Sequence, residues 1–296
     1  MHACGHDGHA TCAVGTALAL VQLQEAGQLP WPVDWRAILQ PAEEICVGAA
    51  EMVEAGALDG VSGIFSLHMD PAYPVGTICT KDRALTAACD EFRIQIHGEG
   101  GHGARPHETR DPVAAGAMLV SSLYQQIPRT FDAQDTVVVT VGEFSAGHSA
   151  NVIADAASLR GTFRTLSFQN REALREKIRE IAGGISHVTG CGMEVTFPIG
   201  CPGVDNNPGL TNLVRQAAKG IPEGIRVNEL ERSSMGGEDF AEYLEHVPGS
   251  MFRLGCQPAN GCTTLHSPDF DIDERALAIG VRLLTRAVIL HANPNR

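Results

Sequence analysis

Apolar residues recur at helical spacing over 9–26, where alanines and leucines return every three to four positions, and Gly27 then supplies a left-handed residue that closes a helix. A proline-containing loop follows. Two short apolar runs, 36–39 stopped by Pro41 and 63–67, read as buried strands on either side of a helix over 48–55. Strand and helix alternating in this way predict a parallel α/β sheet. The pattern changes at Phe92, Ile94 and Ile96, which alternate as on a half-buried strand. Asp111-Pro112 opens a helix to about residue 126, with Asp as N-cap and Pro in the first turn. Strands over 136–143 and 158–165, an amphipathic helix over 170–186 and a strand over 193–198 complete the order β-α-β-β-α-β, the split ferredoxin-like unit. From Pro208 the α/β pattern resumes, with a helix to Lys219, a short helix over 240–245, a strand over 251–254 and a last helix over 273–291. The simplest reading is one α/β domain, 1–83 and 204–296, interrupted by an inserted domain at 84–203.

Composition narrows the class of partner. With 296 residues, the prior of about 150 per domain allows two domains. Lys plus Arg number 22 against 35 Asp plus Glu, a net charge of -13, so the cationic surface that nucleic acid or an acidic membrane needs is missing. The longest apolar stretch, 13–23, is far short of a membrane span, and no targeting segment precedes it. Nine cysteines without paired spacing suit reduced thiols in the cytoplasm better than a disulfide framework.

Chemistry-bearing residues gather in a few polar segments. Cys4, His6 and His9 lie in CGHDGH, a loop feeding a helix; a thiolate and an imidazole two residues apart either share a borderline-soft cation or belong to a solvated loop. Glu43 and Glu44 stand in QPAEE just past the first expected strand, where open α/β sheets place functional loops. Either both carboxylates are solvated, or one binds metal while the other handles protons. His68 ends the run GIFSLH, as a ligand or as a surface histidine capping a strand, and His266 sits in the polar loop TTLHSPDFDIDE. Together these segments offer a thiolate, carboxylates and three imidazoles, enough for two metals with open positions. His102, among the glycines of GEGGHGARPH, belongs to a loop whose backbone can approach a ligand closely.

MHACGHDGH, QPAEE, SLHMDP, GEGGHGARPH with DPV, SANVIADAASLRGTFRT, MGGEDFAEYL and LHSPDFDIDE occur in this order along the chain. In that order they resemble the amidohydrolase branch of the metal-dependent aminoacylase and carboxypeptidase superfamily, which includes hippurate hydrolases, indole-acetyl-amino-acid hydrolases and N-acyl-amino-acid amidohydrolases. The resemblance implies a zinc-peptidase-like catalytic α/β domain with an inserted ferredoxin-like lid or dimerisation domain. It implies two divalent cations, zinc, manganese, cobalt or nickel, held by Cys4, His6, Glu44, His68 and His266, with Cys4 bridging. Glu43 becomes the general base, and His102 stabilises the developing oxyanion, supplied across the subunit interface in dimeric relatives. Asn151 and Arg164 become grips for the substrate carboxylate or, alternatively, structural hydrogen-bonding residues. Asp7 and Asp239 are expected to support ligands or cap helices. The implied substrate is an N-acyl amino acid, and the implied assembly a cytoplasmic homodimer through the insert.

Members of that superfamily normally carry about a hundred further residues ahead of the CGHDGH loop, enough for several strands and helices. On that comparison Cys4 and His6 are expected to hang from a frayed terminus with loose geometry, and the sheet to expose an apolar edge. One rival expectation is therefore a shortened, weak or inactive relative acting at most as a metal-binding or dimerising protein. Another makes Cys4 a nucleophile beside a histidine, with activity that survives chelators.

Overall fold

The computed structural model describes residues 1–222, 224–259, 261 and 264–295. The chain begins with α1 (His6–Glu25), α2 (Gly48–Glu54), β1 (Ile64–Pro74), β2 (Thr77–Thr80) and β3 (Arg83–Ala84). Next come β4 (Ala88–His97), β5 (Gly101–His102), α3 (Pro112–Thr130), β6 (Val137–Ala146), β7 (Val152–Ile153), β8 (Ala156–Thr165), α4 (Phe168–Thr189), β9 (Gly192–Thr196) and β10 (Gly200–Cys201). It ends with β11 (Asp205–Asn206), α5 (Pro208–Lys219), β12 (Arg226–Glu229), α6 (Phe240–Leu244), β13 (Gly249–Gln257) and α7 (Arg275–His291). Two compact units result, one of residues 1–85, 204–233 and 239–296, the other of 86–203 with 234–238.

The first unit is an α/β layer whose sheet runs β1-β13-β2-β12. β1 is parallel to β13 and β12 to β2, but β13 and β2 are antiparallel, so the sheet is mixed and not parallel throughout. The cause is local: only Val75 and Gly76 separate β1 from β2, and Gly76, at φ 84°, reverses the chain there. Helices α1, α5 and α7 cover the sheet through a core that includes Cys12, Leu67, Met69, Ile78, Val214, Phe252, Leu254 and Leu283. The strand expected over 36–39 does not form. Among the described residues it has no ladder partner, Leu39 is 55% exposed, and Arg36 instead donates to the carbonyls of Gly56 and Ala57 at the end of α2. An apolar run becomes a strand only where another backbone edge can satisfy its amides.

The second unit has the strand order β9-β4-β8-β6, all antiparallel, with β10 pairing β4 beyond the end of β9. Alternate residues of β4, Phe92, Ile94 and Ile96, point to one face and are buried there with Leu119 and Leu123 of α3 and Leu174 and Ile178 of α4. The residues between them, such as Glu91 and Arg93, occupy the other face. Asp111 caps α3 by accepting from the amides of Val113 and Ala114, as the Asp-Pro pair predicts. Asp90, fully buried, accepts from Arg171 at 2.8 Å and from Arg175, tying α4 to β4.

Candidate metal centre

The site in the first unit is built where α1 starts against the middle of β1, which runs on to Pro74 and does not end at His68 as its apolar run suggested. Gly5 precedes the helix at φ 81°, and a Cβ there would stand 3.0 Å from Met69 Cβ, so only glycine lets the loop lie on the strand. Cys4 is consequently buried, with Sγ 3.5 Å from His68 Nε2. His68 Nδ1 lies 2.7 Å from the Met69 carbonyl, which accepts its proton and leaves the Nε2 lone pair for a ligand. The Met69 amide donates to His9 Nε2 at 2.9 Å, and the His9 ring packs 4.6 Å from that of His68. Burial pushes His68 down to about 4, and it lowers His9 too, reinforced by His68 and His6. Both rings are therefore neutral at pH 7, the state in which imidazole binds metal.

The two carboxylates stand on a single 3₁₀ turn, Glu43–Ile45, bracketed by Ala42 at φ 58° and Cys46 at φ 53°. Two left-handed residues other than glycine in five positions mark a strained turn that its surroundings must hold. Asp239, fully buried, holds it by accepting from Gln40 Nε2 at 2.6 Å and from the Ala49 amide at 3.2 Å, one partner on each side. Glu43 then lies 3.4 Å, and Glu44 3.9 Å, from His6 Nε2. Burial, with the nearby charges of Asp239 and Glu44, pushes the Glu43 carboxyl up to about 7.

His266 reaches the same place from the loop before α7, at φ 62°, its amide donating to the Ala3 carbonyl at 2.7 Å. Two donor sets result, each with ligand atoms within 4.8 Å of one another: Cys4, His6 and His68, and Cys4, Glu44 and His266. Cys4 belongs to both, and Glu43 to neither, although Glu43 groups separately with His6 and Glu44. One thiolate with imidazoles and a carboxylate fits borderline divalent cations. The expected loose terminus is not what the structure shows. Gly5 against Met69 and Ala3 bonded to His266 anchor the loop on both sides.

The site gathers all five expected ligands and the expected base. It also contains His9, named with Cys4 and His6 in CGHDGH but given no role there, and Gln40, which the sequence did not single out. His9 sits three positions beyond His6 on α1, so the two share a helix face, and that spacing is the signal that could have included it. Asp239 supports the carboxylate turn as expected, while Asp7 merely accepts from the neighbouring Gly8 amide.

His102, Asn151 and Arg164 lie in the second unit. The β5–β7 pairing puts His102 beside Val152, with the Gly103 amide donating to the Asn151 carbonyl at 2.9 Å. His102 is exposed, and its Nδ1 accepts from the Ala104 amide, so the proton sits on the outward Nε2. Asn151 Oδ1 accepts from Ser149. Arg164 stands near the far end of β8, opposite Cys89, and donates to the Met235 carbonyl. From Ala156 to Arg164 the strand extends about 26 Å at its usual rise. His102 therefore belongs to the β5–β7 ribbon, which the chain leaves just before the Ala156 start of β8, whereas Arg164 stands near the other end of β8 in the five-stranded sheet.

An α/β layer carrying two donor sets that share a thiolate, with a spare carboxylate beside them, is the architecture of a metal-dependent hydrolase. The model of Peptidase family M20/M25/M40 matches residues 1–290. An N-acetylcysteine deacetylase of Bacillus subtilis is 39% identical over 290 residues, covering 98% of this chain and 74% of that protein. An N-acetyldiaminopimelate deacetylase of Anoxybacillus flavithermus is 37% identical over 295 residues, covering 99% and 75%. Among solved structures, the YxeP protein of Bacillus subtilis, described as a dinuclear metal binding peptidase, superposes with a TM-score of 0.80 at 36% identity, covering 98% of this chain and 73% of that one. The chain belongs to the M20/M25/M40 peptidase family and is a hydrolase of amide bonds. No helix among the described residues is long and apolar enough to cross a membrane.

Proposed function

We propose that this protein hydrolyses N-acyl amino acids, of the N-acetyl or hippurate type, to a carboxylic acid and an amino acid. The observation that carries the reading is the membership of Cys4 in both donor sets while Glu43 stands outside them. Cys4, His6, Glu44, His68 and His266 would hold two divalent cations, as in the dinuclear relative. When bound, such cations lower the pKa of water and polarise the amide oxygen. Glu43 takes a proton from the attacking water on a carboxylate oxygen and returns it to the leaving amine. His102, with its proton on Nε2, donates to the developing oxyanion, and Asn151 and Arg164 grip the substrate carboxylate.

His102, on the ribbon before the Ala156 start of β8, and Arg164, near the strand's other end, are separated by most of the length of β8, too far to meet on one small substrate within a single chain. That supports a homodimer in which one copy's insert, residues 84–203, supplies His102 with the adjoining Asn151 to the other's site. The exposed outer strand β6 and the apolar residues Val113, Met118 and Val138 on that unit suit such pairing. The same reading places the chain in the cytoplasm, where the Cys4 thiol stays reduced.

Glu43→Gln tests the division of labour: it is expected to lower kcat by at least about 100-fold, the scale of general base catalysis, with metal content by elemental analysis unchanged. Loss of metal in this variant and its retention in Glu44→Gln would reverse the two roles. Cys4→Ser is expected to remove metal, and a chelator to abolish hydrolysis of the unmodified protein. Activity that survives exhaustive chelation would instead support a thiol nucleophile.

A further inference from the structure

We propose that Cys89 and Cys201 form a reversible disulfide site in the second unit. The two residues face each other across antiparallel β4 and β10, with Cys89 paired to Cys201 and Asp90 to Gly200. The Glu91 amide donates to the Ile199 carbonyl at 2.8 Å, and antiparallel alternation then makes Cys89 and Cys201 a hydrogen-bonded pair. In such pairs the Cα atoms lie about 5.5 Å apart with both side chains on one face, inside the disulfide Cα range of roughly 4.4–6.8 Å. The Cβ atoms, about 5.5 Å apart in a hydrogen-bonded pair, must draw in to about 3.5–4.5 Å at this short edge pairing as the bond forms. Both carry reduced thiols in this structure. Gly237 lies flat over them: a Cβ at that position would stand 3.2 Å from Cys201 Sγ and 3.2 Å from Cys89 Cβ. The Cys201 sulfur and the Cys89 Cβ thus lie under the same glycine, with no side chain of that residue to wedge the two cysteines apart.

The partners differ in access. Cys201 is fully buried and Cys89 partly exposed, so Cys89 meets the oxidant first and Cys201 resolves the adduct. The oxidant is a low-molecular-weight disulfide, RSSR. In the first exchange Cys89 gives up its proton and its sulfur attacks one sulfur of RSSR. The Cys89–SR bond forms, the S–S bond of RSSR breaks, and the departing thiolate takes the proton to become RSH. In the second, the Cys201 sulfur attacks the Cys89 sulfur, the intramolecular bond forms, and a second RSH leaves with the Cys201 proton. Two protein thiols are oxidised and one small disulfide is reduced to two thiols. Burial raises the Cys89 thiol, an effect that the facing Arg164 opposes, so the exchange is slow without an excess of RSSR. The linkage would fasten β10 to β4 beneath the Met235–Gly237 segment, whose Met235 carbonyl accepts from Arg164. On the role proposed above for Arg164 it would also reach substrate affinity, but its formation does not depend on that role.

The test treats the metal-loaded protein with glutathione disulfide, alkylates remaining thiols and maps the peptides by mass spectrometry. The expected result is a Cys89–Cys201 linked peptide without a glutathione adduct, lost on treatment with dithiothreitol. In Cys201→Ser, Cys89 is expected to persist as the glutathione mixed disulfide. Should that variant fail to fold, mapping of the unmodified protein still decides. Recovery of both cysteines as separately alkylated peptides, or a stable glutathione adduct on Cys89 in the unmodified protein, would overturn the proposal.

Discussion

Met69 is gripped from two sides, its amide donating to His9 Nε2 and its carbonyl accepting from His68 Nδ1. His9 thereby sets the middle of β1 that aims His68, although its own Nε2 is occupied by a backbone proton and cannot bind a cation. We expect His9→Leu, which keeps bulk but removes the acceptor, to weaken metal affinity about 10- to 100-fold, as loss of ligand support usually does. His9→Gln, which can still accept from Met69, should recover much of it. Zinc titration calorimetry and the cobalt absorption spectrum read the effect independently of turnover; unchanged affinity in His9→Leu would reduce His9 to packing. The proposed ligands Cys4, His6 and Glu44 and the proposed base Glu43 were legible in the sequence because they carry their chemistry in short local motifs. The part played by His9, and Gln40 altogether, were not, because their partners, the Met69 amide and the Asp239 carboxylate, are brought to them from 60 and 199 positions away.

Among the elements, the same division between local and distant causes decides which were legible. Helices α3 and α5 begin where Asp111-Pro112 and Asn207-Pro208 cap them, since a cap is a bond to an amide two or three residues on. The run 36–39 has strand composition but no edge to join among the described residues, and β2 with β12, four residues each, is a parallel pair of residues 149 positions apart, which no local pattern announces. Asp90 is the sharpest element-level dependency. It is fully buried between Arg171 and Arg175, and removing it takes the buried carboxylate from both guanidinium groups, of which Arg175 also pairs with Glu172. Asp90→Ala is expected to destabilise the second unit by about 3–5 kcal/mol, the usual cost of breaking a buried pair. Urea unfolding should show a lower midpoint; a loss under about 1 kcal/mol would mean that water reaches the arginines and the pair acts as a surface one.

At the scale of the whole molecule, the two units divide the apolar interior between them. The buried core of the second unit draws every member from 92–191, whereas those of the first draw on 12–85 and 204–287. A core assembled from one continuous stretch needs nothing from elsewhere in the chain to bury it. A fragment of residues 86–203 is therefore expected to fold alone, with mixed helix and strand circular dichroism and one cooperative thermal transition. The five residues 234–238 would be missing from it, and they carry the Thr86–Ser234 bridge, the Met235 acceptor for Arg164 and the Gly237 cover over Cys201. Cys201 should accordingly alkylate faster in the fragment than in the full chain, while Cys191, buried inside the helix-covered core, stays protected in both. Equal protection of Cys201 in both proteins would show that the segment is not its cover, and a random-coil spectrum would show that the insert depends on the α/β layer to fold.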